Sequence, residues 1–351
     1  MSRLITIAGN GKEGYSGDGG PAIDASLSSP LALAHDPSGN IFIADSNNHL
    51  IRMIDANGII TTVAGCIESR YEKEQKSCSK FGSLDLSKKE SKEEEKDLAI
   101  TLFLDHPDSV AFDKEGNYYI ANPGIHSILK VTDGRFTTYV GTGEKGFSED
   151  GVNPLSAQLD MPESLATDPS GDLYFNDSEN LRIRRVDSST NTIITVAGNG
   201  GLGYRGDNGP GIYASLYRPM SICISQDGKL YIADSGNHRI RMVDIASGFI
   251  TTVVGSGDAG SEGDGGKATS ASLNFPEGVA VDNKGNIYVA DSGNNLIRMV
   301  EKGSGIIKTI LGGDASPEKL DHPSGLAVDQ NKGLYIADTF NNRILLFTIF
   351  E

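Results

Sequence analysis

Three acidic side chains each follow directly after a proline that recurs along the chain, and they are the residues best suited to do chemistry. They are Asp108, Glu163 and Glu277. Carboxylates that converge on one point can hold a divalent cation such as Ca²⁺ or Zn²⁺, or can exchange protons with a substrate. After the other three prolines the same position holds Leu31, Met220 and Ser324. We treat these six residues as one candidate ligand-binding set and the three acids as its candidate metal ligands.

The prolines belong to a unit that is repeated six times, and this unit must position the candidate residues. Its prolines are Pro30, Pro107, Pro162, Pro219, Pro276 and Pro323. In residues 276–312, short aliphatic and β-branched runs alternate with turns of Gly, Asn and Asp, which is typical of a four-stranded antiparallel meander. No run has the length or the period of a surface helix. Repetition of the unit predicts an all-β fold, a six-bladed β-propeller.

The two ends of the chain complement one another. The last unit, residues 323–349, stops before a fourth strand, whereas residues 4–9 match the fourth strands of other units, such as 60–65. We therefore expect the N-terminal strand to complete the last blade and close the ring, which leaves no open sheet edge. Residues 1–351 then form a single propeller domain, interrupted by a charged insertion at 66–103 between blades one and two.

Ring geometry predicts where the candidate residues meet. The first strand of each blade lines the central channel, so the residue after each proline should lie at one mouth of that channel. The next position is always small, which the crowding of six strands around the axis requires. It holds Ala32, Ser109, Ser164, Ser221, Gly278 and Gly325. The sequence therefore predicts that Asp108, Glu163 and Glu277 converge at a channel mouth, where a ligand would bind.

The repeated motif resembles a known family. Residues 285–297 read GNIYVADSGNNLI, and the tripeptide Asn48-His49-Leu50 stands at the equivalent place in the first unit. This pattern resembles the NHL repeat, and the Gly-Asp-Gly-Gly-Pro loop at 17–21 is similar to linkers of bacterial and teneurin-type NHL propellers. The resemblance covers nearly the whole chain except the insertion. It implies a six-bladed propeller but leaves function open, because one propeller fold carries unrelated chemistries.

Other acidic residues recur in blade after blade and are interpreted as structural. The second strand ends in Asp45, Asp177, Asp234, Asp291 and Asp338, and an Asn follows three residues later. Catalysis needs one constellation rather than five copies, so we expect these side chains to cap the backbone amides of the following turn. The loops between blades add Asp18, Asp150, Asp207 and Asp264, for which Asx turns are favoured and calcium binding is the alternative.

The histidines leave a zinc site open as an alternative. His49, His126 and His238 occupy equivalent places in three blades, so they need not meet, and hydrogen-bonded surface histidines are the simpler interpretation. Peptide-amidating lyases, which are similar in fold, hold zinc with histidines directly after such prolines, and this sequence has none there. His106 and His322 precede prolines, and we interpret them as plugs of short loops.

Composition and charge exclude some classes of partner. The formal net charge is −16 with no basic cluster outside the insertion, so the protein repels phosphate backbones and we expect no nucleic-acid partner. No apolar run reaches 18 residues, so we expect no membrane span. We expect a monomer, which is cytoplasmic if Met1 is the native start. Cys223 is predicted to be a small buried residue, and Cys66 and Cys78 are either reduced or paired.

These patterns predict a ligand- or protein-binding scaffold that uses the channel mouth and the loops between blades. Phe340 is a candidate partner contact, because this aromatic stands where two other blades have Gly236 and Gly293. The alternative is a metal-dependent lyase or hydrolase with its site at the central channel, where the three acids would hold Ca²⁺ or Zn²⁺. We expect a protein partner or a small ligand and no other cofactor.

Overall fold

Short strands and single-turn helices make up the computed structural model, which describes residues 3–66, 98–313 and 318–348. The strands are β1 (Arg3–Ala8), β2 (Pro30–His35), β3 (Ile41–Asp45), β4 (Leu50–Ile54), β5 (Ile60–Ala64), β6 (Ser109–Phe112), β7 (Tyr118–Asn122), β8 (Ser127–Thr132), β9 (Arg135–Val140), β10 (Pro162–Thr167), β11 (Leu173–Asp177), β12 (Arg182–Asp187), β13 (Thr192–Ala197), β14 (Gly209–Pro210), β15 (Pro219–Ile224), β16 (Lys229–Asp234), β17 (Arg239–Asp244), β18 (Phe249–Val254), β19 (Gly278–Val281), β20 (Ile287–Asp291), β21 (Leu296–Val300), β22 (Ile307–Gly312), β23 (Pro323–Asp329), β24 (Gly333–Asp338) and β25 (Arg343–Thr348).

Single-turn 3-10 helices occur in two places in the repeat, within the loops between blades and directly after the second strand of each blade. The former are Ala22–Asp24, Ala99–Thr101, Pro154–Ser156, Gly211–Tyr213 and Ala268–Ser270. The latter are Ser46–Asn48, Pro123–Ile125, Ser178–Asn180, Ser235–Asn237, Ser292–Asn294 and Thr339–Asn341. Each helix of the second group is followed by a residue in the left-handed conformation, such as His49 with φ of 58°.

The strands form six antiparallel sheets, one for each blade. Blades one to five follow chain order, as β2–β5, β6–β9, β10–β13, β15–β18 and β19–β22, and β14 adds to the outer edge of blade four. Blade six has the strand order β1-β25-β24-β23, with Ile5 of β1 opposite Leu346 of β25. The N-terminal strand thus completes the last blade, which confirms the predicted all-β, six-bladed propeller.

The hydrophobic core lies between neighbouring sheets. One of its clusters joins Ile43 of blade one to Tyr335 and Ile344 of blade six, all of them at most 2% exposed. Each such side chain contributes about 1.5–3 kcal/mol when it is removed from water. Because every sheet packs its apolar faces against two neighbours, closure of the ring buries the faces that an open stack would leave exposed.

The first strands approach one another closely around the axis. A Cβ atom on Gly278 would lie 1.9 Å from the Ser324 carbonyl oxygen, and one on Gly325 would lie 2.5 Å from the Leu31 carbonyl oxygen. This confirms the predicted crowding at the second position after each proline. The axial cavity of about 320 Å³ is lined by first-strand residues from that position onward, including Cys223. Burial raises the pKa of the Cys223 thiol to about 12, so the thiol stays neutral.

Part of the predicted insertion is not described by the structure. Residues 67–97 lie outside the described ranges, and so do Cys78 and its predicted choice between pairing with Cys66 and remaining reduced. Within the described ranges, the helices are too short and too polar for any of them to cross a membrane.

Candidate functional site

The three post-proline acids share one electrostatic environment at the channel mouth. Asp108, Glu163 and Glu277 come from blades two, three and five. Asp108 and Glu277 directly precede a first strand, and Glu163 is the second residue of β10. The pKa of Asp108 lies well above its usual range, because burial disfavours the carboxylate and the charges of Glu163 and Glu277 repel it. The charges of Glu163 and Glu277 therefore act on Asp108, and the binding role of the three acids stays a prediction.

Glu163 is held in a partly neutral state. Burial is the main cause that raises its pKa to about 7, and the charges of Glu179 and Glu277 act in the same direction. The Ser178 hydroxyl, which donates a hydrogen bond to Glu163 Oε2 at 2.7 Å, and the charge of Arg218 oppose that shift. At neutral pH the carboxyl therefore sits near its titration midpoint, so a nearby cation would change its ionisation.

Glu277 is joined to an imidazole and an aromatic ring from blade six. His322 Nε2 lies 3.0 Å from Glu277 Oε2, and this hydrogen bond is the largest cause that raises the pKa of His322. The Phe340 ring stacks on the His322 ring, with centroids 4.6 Å apart and 14° between the planes, and Phe340 is 57% exposed. The interpretation of His322 as a loop plug was incomplete, because its side chain belongs to the mouth. Phe340 remains a predicted partner contact.

The other three post-proline residues form the wall of the mouth. Ser324 is 5% exposed, and its hydroxyl donates to the Leu31 carbonyl oxygen at 2.8 Å and lies 2.6 Å from the Thr339 hydroxyl. Leu31 and Met220 are partly exposed. The Ser324 hydroxyl is therefore committed to contacts within the wall.

The carboxylates of the three acids influence one another but are not clustered closely enough to share a small metal ion. Among the residues that the structure describes, the one group of three His, Cys, Asp or Glu side chains whose ligand atoms all lie within 4.8 Å is His49, Asp105 and His106. The carboxylates of Asp108, Glu163 and Glu277 do not form such a group in this arrangement. A small metal ion at the mouth would require their side chains to rotate inward.

Comparison with known proteins identifies the family. A model of the teneurin NHL domain matches residues 8–92 and 257–318, and a model of the NHL repeat matches residues 216–241 and 320–347. The chain belongs to the NHL-repeat β-propellers. This NHL propeller is 30% identical over 321 residues to Protein SUPPRESSOR OF QUENCHING 1, chloroplastic, of Arabidopsis thaliana, a match that covers 88% of the chain and 28% of that protein.

Other relatives and solved structures agree with this assignment. NHL repeat-containing protein 2 of Gallus gallus is 29% identical over 303 residues, which cover 79% of the chain and 39% of that protein. The NHL propeller thus spans well under half the length of these two relatives. An auxiliary nutrient binding protein from Bacteroides ovatus has a TM-score of 0.67 at 15% identity over 99% of the chain and 76% of that structure. Virginiamycin B lyase from Staphylococcus aureus has a TM-score of 0.55 at 16% identity and full coverage of both chains. These two share the fold alone.

The histidine of the NHL tripeptide ties one blade to the next. His49 Nδ1 accepts a hydrogen bond from the His106 backbone N–H at 3.1 Å, and His238 Nδ1 accepts one from the Phe275 N–H at 3.1 Å. Asn295 and Asn342 do the same with a side-chain oxygen, whereas Leu181 has no acceptor. We call this contact the interblade latch. His49, His126 and His238 do not meet, and each acts in its own latch.

The recurrent aspartates surround buried arginines that the sequence analysis overlooked. Arg52 is fully buried between Asp18 at 2.7 Å and Asp45 at 3.3 Å, and Arg298 lies in the same way between Asp264 and Asp291. Arg184 and Arg241 repeat the arrangement. The loop aspartates are therefore ion-pair partners, which accounts for their recurrence without a calcium ion.

The expected turn caps were wrong. Asp45 accepts no hydrogen bond from the backbone amides of its following turn. Its Oδ1 instead accepts the Ser28 backbone N–H at 2.7 Å, and its Oδ2 accepts the side-chain amide of Asn48 at 2.8 Å. The sequence does contain a pattern that indicates the ion pairs. Blades preceded by a loop aspartate also carry an arginine in the third strand, whereas blades two and six have Leu129 and Leu345 there.

Proposed function

We propose that this NHL propeller binds a protein partner and that its channel mouth accepts a basic side chain of that partner. The observation that carries the proposal is the mutual repulsion of Asp108, Glu163 and Glu277, which contributes to the raised pKa values of Asp108 and Glu163. A guanidinium or ammonium group placed among them would relieve this repulsion and favour the ionised carboxylates. The charge of Arg218 opposes this repulsion at Glu163 only in part, because the pKa of Glu163 stays raised.

The spacing of the acids favours an organic cation over a small metal ion. Their carboxylates are close enough to interact but do not gather within 4.8 Å in the described part of the chain. A planar guanidinium presents five N–H donors across a wide fork and can reach separate carboxylates. Organic cations also suit the overall charge of −16, which attracts basic partners over long range.

Exposed aromatic side chains on the same face supply apolar contact area. Phe340 stacks on His322 beside Glu277, and Tyr217 and Phe275 precede the first strands of blades four and five. They are 57%, 40% and 39% exposed, respectively. Aromatic rings around an acidic centre bind basic side chains through cation–π contact and are frequent anchors of protein interfaces. On this face, the acids would select a basic partner and the aromatic rings would add apolar contact area that strengthens binding.

The proposal is tested with a hexaarginine peptide, labelled for fluorescence anisotropy, in about 0.15 M salt, where contacts between distant surface charges are screened. The double variant Glu163→Gln with Glu277→Gln should bind at least about tenfold more weakly, since one lost charge contact costs about 1.4 kcal/mol or more. The control is Asp24→Asn with Asp258→Asn, which removes the same charge at exposed positions elsewhere. An equal loss in both variants, or no effect at the mouth, would reject the proposal.

A metal-dependent lyase or hydrolase is the second candidate, and one observation favours it. The His322–Glu277 pair resembles an acid–base pair placed beside two further carboxylates that could hold Ca²⁺ or Zn²⁺. A neighbour in fold is itself named a virginiamycin B lyase. Metal analysis of the purified protein separates the candidates: stoichiometric metal that is lost in Glu163→Ala with Glu277→Ala would favour the enzyme, and a metal-free protein that retains peptide binding would favour the scaffold.

A further inference from the structure

Two histidines and one aspartate meet at the joint between blades one and two. His49 follows the turn after β3, and Asp105 and His106 precede β6. His106 Nδ1 lies 2.8 Å from Asp105 Oδ1, and His49 Nδ1 lies 3.9 Å from the same oxygen. We propose that His49, Asp105 and His106 bind one divalent transition-metal ion of the zinc type. This joint site is separate from the acids at the channel mouth and does not depend on the proposed function.

The donor set matches the chemistry of zinc. Imidazole nitrogen and carboxylate oxygen bind Zn²⁺ at about 2.0–2.2 Å in a tetrahedron, which places ligand atoms about 3.2–3.6 Å apart. The distances of 2.8 Å and 3.9 Å from Asp105 Oδ1 lie on either side of that range. Loading the site would therefore change each of these distances by about 0.3–0.4 Å. Three protein ligands leave the fourth position for water.

The ligands are held in place by the fold around them. The His49 ring packs edge-on to the His106 ring, with centroids 4.5 Å apart, and stacks toward Phe103 at 6.4 Å. The Asp105 backbone N–H donates to Asn122 Oδ1 at 2.8 Å, which fixes the chain beside its side chain. A Cβ on Gly124 would lie 2.3 Å from Asp105 Cγ, so this glycine makes room for the carboxylate.

The charges of the joint also favour a cation. Asp105 lies against two imidazoles, whereas the equivalent Asp160 has the Lys145 ammonium at 3.2 Å. At the other five joints, these three positions never combine two histidines with an acid.

Metal binding and the interblade latch compete for one nitrogen. His49 Nδ1 accepts the His106 backbone N–H at 3.1 Å in the metal-free arrangement. A metal at that nitrogen replaces the hydrogen bond and leaves the His106 N–H without this acceptor. Loading the site should therefore speed amide hydrogen exchange at His106, which no merely adventitious surface ion would do.

The repeat supplies substitutions that the fold already tolerates. His49→Asn introduces the residue that blade five has as Asn295, so the latch acceptor is kept and the metal ligand is lost. His106→Met introduces the residue that blade three has as Met161. The matched control is His238→Asn, the same change in a latch whose histidine faces Phe275 and has no second imidazole.

The test titrates the chelator-treated full chain with Zn²⁺, and with Co²⁺ for its visible absorption, at about pH 7.5, where imidazoles are neutral. One equivalent should bind, at least about tenfold more weakly in His49→Asn and in His106→Met and unchanged in His238→Asn. Absence of stoichiometric binding, or equal binding in His49→Asn, would overturn the proposal. So would a loss of the ion only in Glu163→Gln with Glu277→Gln, because that result assigns it to the mouth.

Discussion

At the scale of single residues, the channel mouth keeps charged groups in an environment that disfavours them. Burial and neighbouring acids raise the pKa values of Asp108 and Glu163. Ionisation of these acids at neutral pH therefore lowers the free energy of unfolding. Burial also raises the pKa of the structural carboxylate Asp45, to about 6, but a buried arginine lies against that carboxylate. Acids that are buried without such a partner are more typical of binding sites than of a scaffold.

The folded protein should therefore become more stable when one acid at the mouth is replaced by a neutral residue. The pKa of Glu163 is about 7 in the folded protein against a usual 4.5. The folded state thus binds more protons between these values, so its stability is full below about pH 4.5 and is lost as the pH rises through about 7. Glu163→Gln should raise the free energy of unfolding by about 1–3 kcal/mol at about pH 8 and leave it unchanged at about pH 4.

Urea unfolding at the two pH values measures this difference. Asp24→Asn, a substitution of an exposed acid on the helix Ala22–Asp24, serves as the control and should have little effect at either pH. A Glu163→Gln variant that is less stable than the wild type at about pH 8 would contradict the raised pKa.

At the scale of elements, the blades are joined by side-chain ties that vary from joint to joint. The joint between blades three and four lacks a latch acceptor, because Leu181 replaces the histidine or asparagine. At that joint alone, the second strand carries Asn176 where the other blades have alanine. Asn176 is fully buried, and its Nδ2 donates to the carbonyl oxygens of Pro219 at 2.7 Å and Met220 at 2.8 Å. One tie thus replaces another.

Changing Asn176 to the alanine of the other blades should be harmful rather than neutral. Asn176→Ala removes one of two donors to the Pro219 carbonyl oxygen and leaves the Met220 carbonyl oxygen and the Glu163 and Ser164 N–H groups without this partner. The expected cost is about 2–4 kcal/mol in the free energy of unfolding. Adding Leu181→Asn should recover about 1 kcal/mol by creating a latch. Thermal and urea unfolding of the single and double variants measure both effects, and a single variant as stable as the wild type would refute the compensation.

The ion pairs between buried arginines and aspartates should also matter for stability, because a buried aspartate needs a counter-charge. Arg298→Leu leaves Asp291 buried without a counter-charge and should cost about 3–5 kcal/mol. Blade two shows the combination that avoids this cost, with Asn122 and Leu129 at the two equivalent positions. Arg298→Leu with Asp291→Asn should therefore regain much of the loss. If the double variant is no more stable than the single one in urea unfolding, the buried charge is not the cause.

At the scale of the whole molecule, the ring depends on the pairing of the two chain ends. β1 supplies the outer strand of blade six, and Ile5 and Ile7 pack against the core cluster between blades six and one. Deletion of residues 1–8 would expose the edge of β25 and one face of that cluster. The deletion should lower the melting temperature by many degrees and cause self-association in size-exclusion chromatography. Deletion of residues 1–2 is the control, and a monomeric, fully stable product of the longer deletion would contradict closure.

The architecture was predictable from the sequence, whereas most of the site was not. Prolines, turns and the strand at residues 4–9 repeat in register, so blade number and closure follow from local patterns. The convergence of Asp108, Glu163 and Glu277 also follows from ring symmetry. His322 and the Arg52 type of ion pair were missed because they join distant loops, which local patterns do not encode. The cluster of His49 with Asp105 and His106 likewise spans two blades.

The most direct test of the mouth is a count of protons. Binding of the hexaarginine peptide is measured by calorimetry near pH 7 in two buffers of different ionisation enthalpy. A cation that enters among Asp108, Glu163 and Glu277 lowers the raised pKa values, so protons should be released, and the release should fall in Glu163→Gln. The same heat in both buffers, with no proton released by the wild type, would show that the cation does not bind among these acids.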